Sequence, residues 1–574
     1  MGFQSDLVFW DVIFSGLGTF VSDSWRRLFK KKGDNDVEFP LQLGINLVRQ
    51  FLDDSRKFPV GAVQTFCSRS LVNKSKYKFS PVTISKECID NAAERLRLFL
   101  GPEALREFGG PNWWLYRKQK LISWSMKHRK QHKKYRNNKV LFYVHGGAHF
   151  LSTVKVNAYH IQQHMDTLGI QAFAPEIRLA PQFPAPCSVH DALSSYLYLL
   201  TYTKPEDIVV MGDSSGASVA LTMLCLLRDQ NLPLPAGAVL ESPWVDLTHS
   251  FPSITSEATK DYIPPCGFHS RASKLWPVTN LSNPSLLAET LPKSAKSLND
   301  MSDKELYHHY KLKLTECIDQ CHEILDVVKK LDDSNTRLPI DGNNVLTDIL
   351  RRLPFQVQYY APNHMLKHPL VSPVFMPNLG GLCPVMVTSG GAEIIRDEIC
   401  YLAHKMANDK YDGRHTKVVY EVFDDCCHVV TALPFSTATK TSLSRTANFN
   451  AWCLRQTDPS FESSNRRLTG QLPSNLPGML RLRVTQDNVA REMEPPEDMA
   501  GVSMPTNLIG TVQSKALRRW LEAEIPLLEA NKKRIAQTHT RIAFARVHGR
   551  LHLPSEFEND CPPLSAIFAN AVIH

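Results

Sequence analysis

The stretch "IVVMGDSSGASVALTML", residues 208–224, decides the fold of this chain. Its first part is a β-branched and apolar run that ends at Gly212, and its last part has the composition of a buried helix. A G-x-S-x-G sequence at such a junction is typical of a sharp strand-to-helix turn with a serine at its apex. Small residues are needed there because the backbone bends tightly and a neighbouring strand lies close.

The glycines decide which of two adjacent serines occupies the apex. Gly212 and Gly216 bracket Ser214, whereas Ser215 has an aspartate and an alanine at the equivalent places. We therefore predict Ser214 as a nucleophile. The motif is short enough to recur by chance, but here the strand before it and the helix after it are both present.

Outward from this turn, strand-like and helix-like segments alternate from residue 139 to about 455. Strands that are apolar throughout, with helices between them, are typical of a parallel sheet covered on both faces. The sequence therefore predicts an α/β fold with a mostly parallel central sheet and helices on both sides. The other strand-like runs are "KVLFYV", "GIQAFAPEI", "AGAVLESPW", "CPVMVTSG" and "KVVYEVFD".

A second glycine motif, "VHGGAHF" at 144–150, follows the strand-like run that begins at residue 139. Attack of a serine on a carbonyl creates an oxyanion, and losing one of the donors that stabilise it costs about 3 kcal/mol. We predict that the backbone N–H groups of Gly146 and Gly147, with that of Ser215, form this oxyanion hole. Glycine lets the chain turn its amides inward without a Cβ in the way.

A serine nucleophile needs a base and an acid that orients the base, in the chain order serine, acid, histidine. Glu393 follows the strand-like run in "CPVMVTSGGAEIIRDE", and His428 follows the last strand-like run in "YEVFDDCCHVV". We predict Glu393 as the acid and His428 as the base.

Three other carboxylates compete with Glu393. Asp397 lies further into the following helix, and Asp424 and Asp425 share the loop of His428. They rank lower on position alone and stay as alternatives.

Six motifs occur along the chain in the order "HGGA", "IRLAPQFPAP", "GDSSGAS", "ESPWVDLT", "HPLVSPVF" and "SGGAEIIRDE". In sequence and order they resemble the motifs of the hormone-sensitive-lipase-type esterases and lipases of the α/β-hydrolase superfamily. The segment "DYIPPCGF", the glutamate at the acid position and the apolar N-terminus are similar to fungal members, including steryl acetyl hydrolases. The resemblance implies an α/β-hydrolase fold with a helical cap, and hydrolysis of hydrophobic esters by a Ser-His-Glu triad and an HGG oxyanion hole, with no cofactor or metal.

The chain departs from the family pattern at two places. Ala148 stands where the family has a third glycine, and Ser215-Gly216-Ala217 stands where it has Ala-Gly. Backbone donors survive both changes. His145 and Asp246 match family positions that brace loops, so we expect structural roles for both.

We predict five parts in the chain. Residues 1–35 form an apolar and basic anchor, 36–250 the first part of the hydrolase domain with cap helices, and 251–365 a cap insertion. Residues 366–455 complete the hydrolase domain, and 456–574 form a partly disordered extension of linker and helix.

The insertion contains one apolar stripe on a predicted helix, residues 303–332. The histidines and cysteines of this segment could suggest a metal site, but Cys317 and Cys321 belong to the stripe, so no metal is predicted. The length of the insertion favours a large or lipid-like substrate, with this helix as part of a lid. In the extension, we expect a helix from about Thr511 to His548, kinked or divided at Pro526.

Composition limits the partners. A net charge of +9 over 574 residues does not indicate nucleic acid. The 13 scattered cysteines favour reduced thiols and an intracellular location. Residues 7–21 would rise about 22 Å as a helix, short of a bilayer core, so we expect them to lie on the surface of the endoplasmic reticulum or lipid droplets; packing onto the domain is the alternative. The sequence does not determine the oligomeric state.

Two rival functions remain from the sequence. A catalytically silent binding or regulatory protein would keep the same fold, although such proteins tend to lose the base and His428 is present. A protease or amidase would use the same three residues.

Overall fold

The structure is a computed structural model that describes residues 39–547 apart from 69–76, 129–137, 268–300, 334–352, 462–471 and six single positions, with short pieces between 551 and 573. The expected anchor at residues 1–35 lies outside the described residues. No helix in the described part of the chain is long and apolar enough to span a membrane.

A ten-stranded sheet forms the centre of the molecule. Its strands are β1 (Tyr77–Thr83), β2 (Ile122–His128), β3 (Val140–Val144), β4 (Gln171–Pro175), β5 (Ile208–Asp213), β6 (Gly237–Glu241), β7 (Val385–Gly390), β8 (Val418–Phe423), β9 (Met479–Val484) and β10 (Ala490–Glu492). Their order in the sheet is β1-β2-β4-β3-β5-β6-β7-β8-β9-β10. The strands from β4 through β3 to β9 are parallel, whereas β2 is antiparallel to its two neighbours and β10 is antiparallel to β9. The predicted mostly parallel sheet is confirmed.

Helices cover both faces of this sheet. The helices are α1 (Phe39–Asp54), α2 (Val60–Phe66), α3 (Lys86–Glu107), α4 (Val154–Leu168), α5 (Cys187–Leu200), α6 (Ser215–Asp229), α7 (Asp303–Asp333), α8 (Arg396–Asn408), α9 (Thr437–Thr457), α10 (Ala500–Ser503) and α11 (Ser514–Val547). One face of the sheet packs against α4 and α9, and the other against α3, α5, α6 and α8. Every residue of β3, β5, β6, β7 and β8 is buried, which explains why their sequences are mostly apolar.

The parallel strands bring three loops to one edge of the sheet. Strands β5, β7 and β8 run in the same direction, so their carboxyl ends lie together. Ser214, Glu393 and His428 follow these three strands within five residues or fewer. Ligands bind at this edge in open α/β sheets.

Helix α7 confirms the helix expected in the insertion. It begins with a capping box, in which the Ser302 backbone N–H donates to the Glu305 carboxylate at 2.8 Å and the Glu305 N–H donates back to the Ser302 hydroxyl at 3.4 Å. Leu314, Cys321 and Val328 of the predicted stripe are buried. The helix packs chiefly against α11, which belongs to the C-terminal extension.

The C-terminal extension differs from the prediction of linker and helix alone. Strands β9 and β10 join the central sheet, so residues 479–492 belong to the hydrolase domain. Helix α11 continues through Pro526 without division. Pro526 is exposed, while Ile525 and Leu528 beside it are buried, and this packing offsets the hydrogen bond that proline removes. The cysteines in the described part of the chain are all free thiols, as expected.

Candidate active site

The candidate nucleophile sits in a strained turn between β5 and α6. Ser214 has φ +52° and ψ −125°, and its backbone N–H donates to the Glu241 carbonyl at 2.9 Å. A Cβ on Gly212 would lie 2.7 Å from the Gly216 carbonyl oxygen, and a Cβ on Gly216 would overlap the Val144 carbonyl. Glycine is therefore required at both flanking positions.

Three side chains form a continuous hydrogen-bonded chain at this edge. The Ser214 hydroxyl lies 2.8 Å from Nε2 of His428, and Nδ1 of His428 lies 2.6 Å from Oε2 of Glu393. Because a carboxylate only accepts, Nδ1 carries the hydrogen and Nε2 is left to accept from Ser214. Ser214 is half-buried, whereas the other two side chains are buried. The structure thus brings together the three residues that the sequence selected.

The carboxylate of Glu393 is held by further donors. Its Oε1 accepts the Gly390 N–H at 2.6 Å and the Ser242 hydroxyl at 3.1 Å. Burial raises the pKa of Glu393, and the hydrogen bond from His428 works against that rise. Burial alone would lower the pKa of His428, but the hydrogen bond and charge of Glu393 outweigh it and raise that pKa above its ordinary value.

The three rival carboxylates have other partners. Asp397 accepts the Ser253 N–H at 2.9 Å, Asp424 pairs with Arg483 at 3.1 Å, and Asp425 pairs with Lys260 at 2.8 Å. Glu393 is the carboxylate that reaches Nδ1 of His428.

A buried aspartate that the sequence analysis did not select joins both loops. Oδ1 of Asp261 accepts the His428 N–H at 3.0 Å, and Oδ2 accepts the Ile394 N–H at 2.9 Å. Burial raises the pKa of Asp261, and the nearby His428 opposes that rise. Asp261 lies in "DYIPPCGF", which carried a family resemblance but no pattern that indicates its partners.

The predicted oxyanion hole needs one correction. The Gly146 N–H donates to Oδ1 of Asp213 at 2.9 Å, so Gly146 is not available as an oxyanion donor. A Cβ on Gly146 would overlap the same carboxylate, which explains the glycine. The sequence treated Asp213 only as a motif position and could not show this contact between residues 67 positions apart.

Three amides remain at the corner. Gly147 has φ +117° and Ala148 has φ +52°, and the amides of these two residues have no hydrogen-bond acceptor in the described part of the chain. The Ser215 N–H is at the first position of α6, where a helix supplies no internal acceptor. The amides of Gly147, Ala148 and Ser215 are therefore the candidate donors at this corner.

His145 and Asp246, for which structural roles were expected, form hydrogen bonds to backbone groups at this edge of the sheet. Nδ1 of His145 lies 2.8 Å from the Gly146 carbonyl oxygen. Asp246 accepts the backbone N–H groups of Thr248 at 3.0 Å and Ser250 at 2.8 Å. Both fit the expected structural roles.

A cavity of about 390 Å³ lies elsewhere, lined among others by Ser253, Asp397 and Arg483. Neither Ser214 nor His428 lines it. This cavity is therefore separate from the hydrogen-bonded chain of Ser214, His428 and Glu393.

The α/β-hydrolase fold family model matches residues 141–299 and 327–432, which include the triad. An acetyl-hydrolase of Streptomyces hygroscopicus is 34% identical over 128 residues, which cover 22% of this chain and 43% of that protein. The hormone-sensitive lipase of Mus musculus is 23% identical over 124 residues, which cover 21% of this chain and 16% of that protein. The chain thus spans less than half the length of these relatives.

Among solved structures, an esterase from the bacterial hormone-sensitive lipase family is similar, with a TM-score of 0.44 and 18% identity over 73% of this chain and 99% of that one. The matched region makes this an α/β-hydrolase chain. Over the matched parts, its sequence is similar to esterases and lipases of the hormone-sensitive-lipase type. The resemblance read from the motifs is confirmed.

Proposed function

We propose that this protein is a serine carboxylic ester hydrolase that acts on hydrophobic esters. The observation that carries the proposal is the hydrogen-bonded chain from Ser214 through His428 to Glu393, with separations of 2.8 and 2.6 Å. A strained serine at a strand-to-helix turn, beside a buried histidine and acid, has the geometry of nucleophilic acyl transfer.

The first half-reaction forms an acyl-enzyme. His428 takes the Ser214 proton as the oxygen attacks the ester carbonyl, and Glu393 stabilises the imidazolium that results. The amides of Gly147, Ala148 and Ser215 donate to the oxyanion. The alcohol leaves with the proton from His428.

The second half-reaction repeats this chemistry with water. His428 takes a proton from water, which attacks the acyl carbonyl, and returns the proton to Ser214 as the acid leaves. Each proton transfer in the two half-reactions is carried by the same imidazole.

Aromatic side chains near the site support a hydrophobic substrate. The ring of Tyr262 lies 5.7 Å from that of His428, and Phe150, next to the oxyanion corner, lies 5.0 Å from Tyr359. Tyr262 and Tyr359 both belong to the long insertion. The acetyl-hydrolase and lipase names of the relatives favour esters, while the acyl chain and alcohol stay open to measurement.

Labelling with a lipophilic organophosphonate tests the proposal. Wild type is expected to be labelled once, at Ser214, and to hydrolyse esters from a panel running from acetates to long acyl chains, including steryl acetates. Ser214→Ala should lose both properties, while Ser256→Ala, a half-buried serine outside the triad, should keep them. A folded wild-type chain that is not labelled would identify a silent binding protein instead.

Membrane attachment through residues 7–21 remains part of the proposal. The support is the apolar run followed by "WRRLFKKK", which suits an anionic lipid surface. Localisation with and without residues 1–32 tests it, and retention of the shortened chain on the membrane would contradict it.

A further inference from the structure

Two histidines and a glutamate outside the triad lie together behind the candidate site. His160 and His164 are one turn apart on α4, so their side chains project from the same face. Glu241 is the last residue of β6, and its backbone carbonyl accepts the Ser214 N–H. The three residues are 6%, 4% and 2% exposed.

The distances between their ligand atoms suit a tetrahedral metal ion. Nε2 of His160 lies 3.1 Å from Nε2 of His164 and 3.5 Å from Oε2 of Glu241. Nε2 of His164 lies 3.8 Å from the same Oε2. Zinc bonds of about 2.0–2.2 Å place the ligands of a tetrahedron about 3.3–3.6 Å apart. The edges of 3.1, 3.5 and 3.8 Å lie on both sides of that range, so one ion at their centre needs shifts of only a few tenths of an ångström.

The hydrogen bonds around His160 fix which ring nitrogen carries its hydrogen. The Tyr143 hydroxyl donates to Asp213 at 2.6 Å, so its oxygen can only accept from Nδ1 of His160, 3.0 Å away. In a neutral ring, Nε2 of His160 is then a lone pair directed at the cluster. A metal-bound histidine is commonly held by such a bond from its other nitrogen.

The neighbouring threonine does not supply a hydrogen to that lone pair. The Thr431 hydroxyl donates to Oε2 of Glu241 at 2.9 Å, yet its oxygen is also 2.9 Å from Nε2 of His160. A protonated His160 would supply one hydrogen to share among a threonine oxygen, a histidine nitrogen and a carboxylate. A cation at the centre attracts all three at once.

One carboxylate oxygen of Glu241 lacks a hydrogen-bond donor among the described residues. Oε1 of Glu241 is buried and has no hydrogen-bond partner in the described part of the chain. An ionised carboxylate in this position is costly unless a charge compensates it. A cation at the centre of the cluster would supply that charge.

We propose that His160, His164 and Glu241 bind a divalent transition-metal ion, zinc by its geometry, with the Thr431 hydroxyl oxygen or a water as fourth ligand. Imidazole and carboxylate are ligands that zinc accepts. The site is closed, so its role is structural. It joins α4, the end of β6 and the turn at 430–432, which begins two residues after His428. The ion would therefore support both Ser214 and His428 from behind.

Metal content of the full chain tests the proposal. Wild type stripped with a chelator is titrated with Zn²⁺ against a chromophoric indicator, and its melting temperature is measured at each addition. We expect one tight equivalent and a rise in melting temperature of several degrees. Absence of a tight equivalent in the folded wild-type chain overturns the proposal without any variant.

Cobalt distinguishes this site from the cysteines of the chain. Co²⁺ bound by histidine and carboxylate should give visible bands without a thiolate charge-transfer band. Glu241→Gln, which is nearly isosteric, and His164→Ala should each lose the tight equivalent and the visible bands, whereas the exposed His322→Ala should keep both. If either variant folds and binds as tightly as wild type, the ion sits elsewhere and the assignment is wrong.

Discussion

Asp261 and His428 are 167 residues apart in sequence, yet Oδ1 of Asp261 accepts the His428 N–H at 3.0 Å. The other carboxylate oxygen accepts the N–H next to Glu393. One buried carboxylate therefore fixes the loops of both the base and the acid, and its charge contributes to the raised pKa of His428.

Asp261→Asn removes that charge and one acceptor. We expect kcat/KM to fall about 10- to 100-fold, because a base displaced by as little as ~1 Å loses this much. The acid limb of the pH–rate profile should also move to lower pH. Asp425→Asn, three residues from His428 and exposed, is the matched control. A rate loss with an unmoved acid limb would show that Asp261 only supports folding.

Glu393→Gln tests the orienting acid. His428 must be neutral to act as a base, so wild-type activity should rise with pH through a midpoint above 6.5, since the pKa of His428 is raised. Without the carboxylate that pKa falls, and the midpoint should move to lower pH while kcat drops about 10²- to 10⁴-fold. The pH dependence of kcat/KM measures both effects. A midpoint that stays in place would mean that another acid pairs with His428.

Gly216→Ala tests the close packing of the turn. The added Cβ would overlap the Val144 carbonyl, a backbone atom that has no room to move within β3. We expect a loss of about 1–3 kcal/mol in the free energy of unfolding, and slower phosphonate labelling because Ser214 shifts. Thermal melting and labelling rates are the measurements. Ala217→Gly, on the neighbouring position, should change labelling far less.

The buried ring of His149 should make the stability of the fold sensitive to acid. Its ring stacks on Tyr360 with centroids 3.7 Å apart, and burial lowers its pKa from 6.5 to about 3. Between those values the unfolded chain binds one more proton at this residue, so the free energy of unfolding falls by roughly 1.4 kcal/mol per unit decrease in pH. His149→Phe keeps the stacking and should remove this part of the slope.

Urea unfolding at several values of pH from 7 to 5 gives the slope. The exposed His322→Phe should leave it unchanged. An equal slope in wild type and His149→Phe would show that other buried groups cause the acid sensitivity.

The triad could be predicted because each member follows a strand whose sequence is mostly apolar. The chain order serine, acid, histidine then left few candidates for the acid and the base, and the side chains of Glu393 and His428 are in contact as predicted. Asp261 could not be found this way, since its contacts depend on how the insertion folds back onto two distant loops. The same holds for Gly146, since the contact of its amide with Asp213 joins two loops that are 67 residues apart in sequence.

Strands β9 and β10 were missed for a different reason. "MLRLRV" at 479–484 alternates apolar residues with arginines, which is the pattern of a half-exposed strand. Because it follows a polar, proline-rich stretch, the sequence predicts it as part of the extension. Strands β9 and β10 lie at one end of the sheet and carry only weak apolar signals, so their pairing partners are set by the folded sheet and not by their own sequence.

The pairing of α7 with α11 has a consequence for biosynthesis. The first helix ends at Asp333 and the second begins at Ser514, 181 positions later. At translation rates of about 5–20 residues per second, roughly 10–40 s pass between the synthesis of the end of α7 and the start of α11. During that interval the apolar face of the earlier helix is exposed to solvent. We therefore expect the nascent chain to depend on chaperones until Ser514–Val547 has been synthesised.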